Sequence, residues 1–303
     1  MAATAKAAKN AASAPNPANR CTPDRRKFAL TGPSTALDHR THAARRDLAD
    51  VTLAGRWFAP HYAEAETRSC GLAGADIYSS DVRGTRISQL LPGERFAVLE
   101  ESGDWLWGYS EHDGYVGYVR TDTLGETAKP THIVVARSAL IFREPSNRAE
   151  VAAVLPTGSR ISGAVEDQFL HTNDGYVALQ QLGSVDGTEP DPVAVAERLN
   201  GMPYLWGGRG IGGIDCSGLV QVAFGLAGVA LPRDSDQQIA EGSEIDALLQ
   251  RGDLLFYPDH VTLMTAPDQA IHASGHWMST VIEPLEAIVA RLGAPIARRR
   301  VAP

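Results

Sequence analysis

The sequence predicts a multidomain protein in which two small β-barrels precede an α+β domain made of an antiparallel sheet packed on helices. Three observations carry this. A strand-type pattern occurs twice: Ile77 and Ile141, and Pro92 and Pro156, lie 64 residues apart, while Gly114 and Gly175 lie 61 apart. Such self-similarity marks two related units, with one loop three residues shorter in the second. Beyond residue 188 the pattern changes to a helix-spaced apolar run, Leu219, Val222, Ala223, Leu226 and Ala227, followed by three short apolar strands. Between them a glycine-rich stretch from Gly207 to Gly213 delivers Asp215-Cys216-Ser217 to the start of that helix.

The 303 residues divide into a tail over 1–35, a lead-in segment and first barrel over 36–128, a second barrel over 129–187, and the α+β domain over 188–303. A hydrophobic content of 44% with 21% charged residues is that of an ordinary globular protein. No run of about eighteen apolar residues occurs, so no membrane span or membrane partner is expected. The net charge of −8 argues against a nucleic-acid partner. Cys21, Cys70 and Cys216 are too widely spaced for a disulfide or zinc pattern, Cys70 reads as a loop residue, and a reducing compartment fits. Segment 1–48 holds nine Lys/Arg against three Asp/Glu but no apolar core of a secretory signal, so a cytoplasmic location is the expectation. Nothing calls for a metal or an organic cofactor.

Within the repeat, Asp76-Ile-Tyr78, Leu90-Leu-Pro-Gly-Glu94-Arg-Phe96 and Asp113-Gly-Tyr-Val-Gly-Tyr-Val119 read as strands and turns. Leu140-Ile-Phe142, Val154-Leu-Pro-Thr-Gly-Ser-Arg-Ile161 and Asp174-Gly-Tyr-Val-Ala178 read as their counterparts. A linker, Thr188 to Pro192, leads into a helix with Asp191 as N-cap and Pro192 at its first position, running to Leu199. Gly252 to Tyr257, His260 to Thr265 and Gln269 to Ser274 follow as strands. A helix from about Glu283 to Leu292, stopped by Gly293, and a strand over 296–301 end the chain.

The chemistry centres on Cys216. A thiol at a helix N-terminus faces unpaired backbone N–H groups and the positive end of the macrodipole, both of which favour the thiolate. His260 opens one strand and His272 lies twelve residues on in its neighbour, so a row Cys216–His260–His272 fits, with the second ring orienting the first. His276, four residues further, is read as a bystander. Asp215 beside the thiol would raise its pKa unless a cation sits there, and a substrate ammonium would serve.

Tyr204-x-Trp206-Gly-Gly, Asp215-Cys216-Ser217-Gly-Leu-Val, Gly252-Asp-Leu-Leu-Phe, His260-Val and Ile271-His272-Ala resemble the NlpC/P60 cysteine peptidases, a papain-like group acting on bacterial wall peptides. The two barrels resemble bacterial SH3-like domains, the first more closely, since the second lacks the counterpart of Asp104-Trp105-Leu-Trp107. The peptidase resemblance implies Cys216 as nucleophile, His260 as base, His272 as its orienting partner and Tyr204 at the oxyanion site. Asp215, Ser217, Trp206, Asp234 and Ser235 become substrate-binding candidates, with Glu94 and Tyr115 of the first barrel closing the pocket and Tyr118 as alternate to Tyr115. The implied substrates are small murein peptides, L-Ala-γ-D-Glu-diamino acid, cut after D-Glu with a free amine required. An exported enzyme trimming intact wall, or a wall-binding protein without activity, stand as alternatives. Thr262, where the family pattern commonly has Gly, is expected to narrow the cleft; Trp105 and Trp107 are expected in the barrel core.

Overall fold

In the computed structural model the described residues are 37–81 and 84–302; the expected tail, with Cys21, lies outside them. The first β-unit is a seven-stranded antiparallel sheet in the order 86–90, 75–78, 116–120, 105–110, 95–102, 66–70, 124–125. Alternate residues point inward, and Ile77, Leu90, Phe96, Leu106 and Val119 are fully buried together. Each such side chain is worth about 1.5–3 kcal/mol on burial. Trp107 is buried as expected, whereas Trp105 is half-buried, edge-on to Tyr78 beneath the Arg120 guanidinium. Cys70 closes the strand Glu66–Cys70 and is buried, so it is not a loop residue; its backbone N–H is tied to Glu94 O at 2.8 Å.

The second β-unit has a three-stranded sheet centred on His132–Val134 and a five-stranded one in the order 151–156, 138–142, 175–178, 169–172, 164–166. Val134, Ala139, Ile141, Leu155, Leu170 and Val177 form its core. The sequence repeat has a geometric counterpart. Ile77 and Ile141 are both fully buried, and in each unit the strand pairing shifts register just after that isoleucine.

In the C-terminal part, six antiparallel strands run in the order Ser243–Glu244, Ala297–Arg300, Asp253–Tyr257, His260–Ala266, Gln269–Ser274, Ser279–Pro284. Helices α1 (Pro192–Arg198) and α2 (Cys216–Leu226) cover one face, where Leu219, Ala223 and Phe224 meet Leu254, Phe256, Val261, Leu263 and Ile271. Helix α3 is the short Ser235–Gln238, and α4 (Leu285–Leu292) covers the opposite face through Ile288 against Leu255, Tyr257 and Met264. Asp191 caps α1 by accepting from the Val193 N–H at 2.9 Å, as the sequence predicts.

The last helix starts later than expected. The segment before Leu285 is a strand rather than the first turn of a helix, with Glu283 paired to Ala270 and Ile282 to Ile271. Cross-strand bonds to a buried neighbour override the helix-forming character of Glu there. The helix begins only after Pro284, which has no N–H to donate.

Candidate active site

The nucleophile position is built by Asp215. As N-cap of α2, its Oδ1 accepts from the Gly218 N–H at 2.7 Å, and its Oδ2 accepts from the Gly207 N–H at 2.8 Å. A Cβ on Gly218 would collide with the Gly208 carbonyl oxygen, so only glycine lets the loop lie against the helix start. Cys216 is thereby the first helical residue. Its sulfur faces the backbone N–H groups of Val261 and Ser217, which favour the thiolate. Burial outweighs them and, with Asp215 adding, pushes the thiol up to about 12. The depressed thiol pKa expected from the helix terminus alone is therefore corrected: Cys216 is buried, and desolvation of the charged form dominates.

The cation sought beside Asp215 is part of the protein. Arg233, 1% exposed, donates from Nη2 to Asp215 Oδ2 at 2.6 Å and from Nη1 to Oδ1 at 3.0 Å. It also donates to Ser217 Oγ at 2.8 Å and to Ser88 Oγ of the first β-unit at 3.0 Å. Asp215 and Ser217 are thus engaged internally, which corrects the expectation that Asp215 is held open for a substrate ammonium.

His260 and His272 come together as expected. The register set by Leu263 opposite Ile271 puts His272 level with Thr262, diagonal to His260 on the same face. Long side chains reach across such a diagonal. The two rings meet edge-on at 4.9 Å between centroids, and His260 Nε2 lies 2.7 Å from His272 Nδ1. Burial pushes His260 down to about 3, with His272 and Arg291 adding to the fall; burial likewise lowers His272. Thr262 is fully buried in the sheet and is not among the cleft-lining residues, so it does not narrow the cleft.

A cavity of about 320 Å³ opens over Cys216. Tyr204, Trp206, Asp215, Ser217, Asp234, Ser235 and Tyr115 all line it, and so does Asp259, which immediately precedes His260. Val261 is buried and bonded to the sulfur, so His260 stands between a cleft-lining residue and one bonded to Cys216, while neither it nor His272 lines the cavity itself. Tyr204 is half-buried; burial, with Cys216 and Asp215 adding, pushes its hydroxyl up to about 12, so it stays a donor. Trp206 is 60% exposed at the rim, its carbonyl accepting from Arg86 Nε at 3.0 Å. Tyr115 crosses from the first β-unit and donates to Asp234 Oδ2 at 2.8 Å.

Two first-unit candidates lie elsewhere. Glu94 is buried against Arg209, at 2.6 and 3.0 Å, and accepts from the Leu91 N–H at 2.8 Å. It borders a different cavity and does not reach the cleft, because the glycine-rich loop lays the Arg209 guanidinium over it. Tyr118 accepts from Arg45 Nη1 at 3.1 Å, away from the cleft lining. His276 is exposed in the turn before the Glu283 strand, edge-on to Trp277.

Four residues were missed from sequence. Arg40, from the lead-in segment, lines the cleft and binds Asp234 at 2.9 Å and Asp236 at 2.8 Å. Its position in a basic stretch hid it. Arg233 was visible only as the neighbour of Asp234. Glu283 and Arg291 extend the histidine row: His272 Nε2 lies 2.8 Å from Glu283 Oε2, which accepts from Arg291 Nη2 at 2.6 Å.

A fold of this kind, with a cysteine opening a helix beside a histidine pair on an antiparallel sheet, defines a cysteine-hydrolase site. The NlpC/P60 family model matches residues 201–287, and the model of the bacterial dipeptidyl-peptidase SH3 domain matches residues 78–124. Dipeptidyl-peptidase 6 of Lysinibacillus sphaericus is 30% identical over 232 residues, 66% of this chain and 84% of that protein. Gamma-D-glutamyl-L-lysine dipeptidyl-peptidase of Bacillus subtilis is 28% identical over 192 residues, 56% of this chain and 63% of that protein. The crystal structure of an NlpC/P60 family protein from Bacillus cereus superposes with a TM-score of 0.67 at 19% identity, covering 78% of this chain and all of that one, which is a likeness of fold. The chain belongs to the NlpC/P60 family and is a peptide hydrolase carrying an SH3-like domain before its peptidase domain.

Proposed function

We propose that the protein is a cysteine peptidase that hydrolyses the γ-D-glutamyl–diamino acid bond of murein peptides carrying a free N-terminal L-Ala. Cys216 attacks the carbonyl, and His260 takes the thiol proton and passes it to the leaving amine. His272 orients His260, while the Cys216 backbone N–H and the Tyr204 hydroxyl receive the oxyanion. Because burial disfavours both the thiolate and the imidazolium, the proton moves as attack proceeds. Water, activated by the same ring, then releases the acid.

The observation that carries this reading is the hydrogen-bonded His260–His272 pair, joined to the nucleophile through Val261, whose backbone N–H is bonded to the Cys216 sulfur, with a cavity over Cys216 walled by Tyr115 and Asp234. Asp234 takes the ammonium role once assigned to Asp215. Both of its bonds, from Tyr115 and Arg40, fall on Oδ2, and the substrate amine meets Oδ1. A free amine suits released wall fragments, so the enzyme works in peptide recycling in the cytoplasm. The second β-unit, over 129–187, is a second SH3-like barrel with a scaffold role; its buried Ile141 and register shift parallel those at Ile77. The relatives named for γ-D-glutamyl-L-lysine and dipeptidyl peptidase activity support the bond chosen.

The test is release of L-Ala-γ-D-Glu from L-Ala-γ-D-Glu-meso-diaminopimelate by wild type and by Cys216→Ala, with the N-acetylated peptide alongside. Cleavage by wild type alone, falling by more than about tenfold on acetylation, is expected, since a charged hydrogen bond is worth about 1.5–3 kcal/mol. Equal turnover of both peptides would sink the amine pocket. Cleavage by Cys216→Ala would remove the nucleophile assignment.

A further inference from the structure

The histidine row does not stop at two rings. His272 is 1% exposed, and its outer nitrogen, Nε2, meets Glu283 Oε2 at 2.8 Å. Glu283 comes from the outermost strand of the sheet and is gripped from α4 by Arg291, whose Nη1 and Nη2 reach Oε1 and Oε2 at 3.1 and 2.6 Å. An ionised carboxylate only accepts hydrogen bonds. His272 must therefore carry its proton on Nε2, leaving a lone pair on Nδ1. His260 Nε2, 2.7 Å from that lone pair, must in turn donate to it. The remaining ring nitrogen of His260, Nδ1, is then the unprotonated one, which is the form able to accept a proton from a thiol.

We infer that Glu283, clamped by Arg291, is a positioning residue of the peptidase reaction, fixing the tautomer of His272 and, through it, of His260. The inference rests on the reading of Cys216 and His260 as nucleophile and base. Two tautomer arrangements of a hydrogen-bonded imidazole pair are self-consistent, and they run in opposite directions. Without an acceptor behind His272, the reverse arrangement protonates His260 on Nδ1 and disarms it.

The clamp also keeps Glu283 ionised. Burial raises its pKa, but hydrogen bonds from Arg291, His272 and the Trp277 indole outweigh that and hold it down to about 2. Charged and titratable groups act on the rings from the elements around them: Asp215 from the cap of α2, Tyr257 from the adjoining strand, Glu283 from the outer strand and Arg291 from α4. Of these, Asp215 and Glu283 favour the His260 imidazolium, while Arg291 opposes it. Glu283 and Arg291 therefore pull the acid limb of activity in opposite directions. A group that merely held the sheet together would move neither.

The experiment follows kcat and KM against pH for wild type, Glu283→Gln, Glu283→Asp and Arg291→Met, with ¹⁵N spectra of the histidine rings. Replacing the carboxylate behind a catalytic histidine by its amide in a serine-protease triad costs about 10⁴ in kcat. With one ring interposed, the expected loss in Glu283→Gln is about 10–100-fold, with little change in KM. The acid limb should move to lower pH in Glu283→Gln and to higher pH in Arg291→Met. Glu283→Asp keeps the charge and should retain the wild-type limb with part of the activity, which also covers failure of the amide variant to fold. The spectra should show His260 protonated on Nε2 in wild type and a mixture in Glu283→Gln. Wild-type kcat, limb and ring spectra in a folded Glu283→Gln would overturn the inference. A tautomer change in an enzyme that cleaves no peptide would overturn the peptidase reading and leave the tautomer relay standing.

Discussion

Replacing Arg233 by Met tests how the nucleophile loop is held. Arg233 and Asp215 are 1% and 6% exposed, and their 2.6 Å ion pair is supported by bonds to Ser217 and Ser88. Met fills much of the same volume, so the principal loss is the charge. Asp215 is left as a buried carboxylate with the Gly207 and Gly218 N–H groups and the Ser217 hydroxyl as its neutral partners. Breaking one side of a buried pair costs about 3–5 kcal/mol. At about 2–4 °C per kcal/mol for a chain of this order, the melting temperature should fall by about 6–20 °C. Peptide turnover should fall as well, because an uncompensated carboxylate beside Cys216 disfavours the thiolate further. Thermal melts of the full chain are the assay, with Asp215→Asn and the double variant completing a cycle. Asn still caps a helix, and the double variant buries no net charge. It should lose about 2–3 kcal/mol less than the sum of the single variants, within the range seen for residues in one network. A loss below about 1 kcal/mol in Arg233→Met, or simple additivity, would refute the argument that this pair holds the site.

Glu94→Gln should behave differently. It strips Arg209 of its buried partner and lowers stability by about 3–5 kcal/mol, yet KM for the free-amine peptide should stay within about threefold, since Glu94 is absent from the cleft. A large rise in KM without loss of stability would return Glu94 to the substrate pocket. A third prediction concerns acid. Glu283 has a folded pKa of about 2, depressed from 4.5, so its stabilisation is complete above about pH 5 and is lost as pH falls through about 2. The stability gap between wild type and Glu283→Gln, measured by urea unfolding, should shrink steadily from pH 5 to pH 2; a gap constant over that window would contradict the depressed pKa.

Much of the site was legible along the chain. Cys216 at a helix start, the Asp191 cap, the three strands and the two histidines follow from local rules: a cap has one geometry, a strand has period two, and a glycine-rich turn precedes a helix start for steric reasons. The internal repeat was equally plain, because it compares the chain with itself. The tertiary structure decided what depends on partners distant in sequence. Asp215 looked like an open anionic subsite, and its cation arrives eighteen residues later as Arg233. Glu94 looked like a pocket residue, and Arg209 claims it across 115 residues. Arg40 reaches Asp234 across 194 residues. Glu283 passed for the first turn of a helix, and only its pairing with the His272 strand turned it into the acceptor behind the ring. A residue type states which charge or donor it offers; which opposite charge meets it, and whether water is excluded when they meet, is settled by packing of the whole chain. Those two factors act on the pKa of Cys216, and along the sequence the helix terminus and the neighbouring Asp215 were visible, whereas the burial and the Arg233 partner were not.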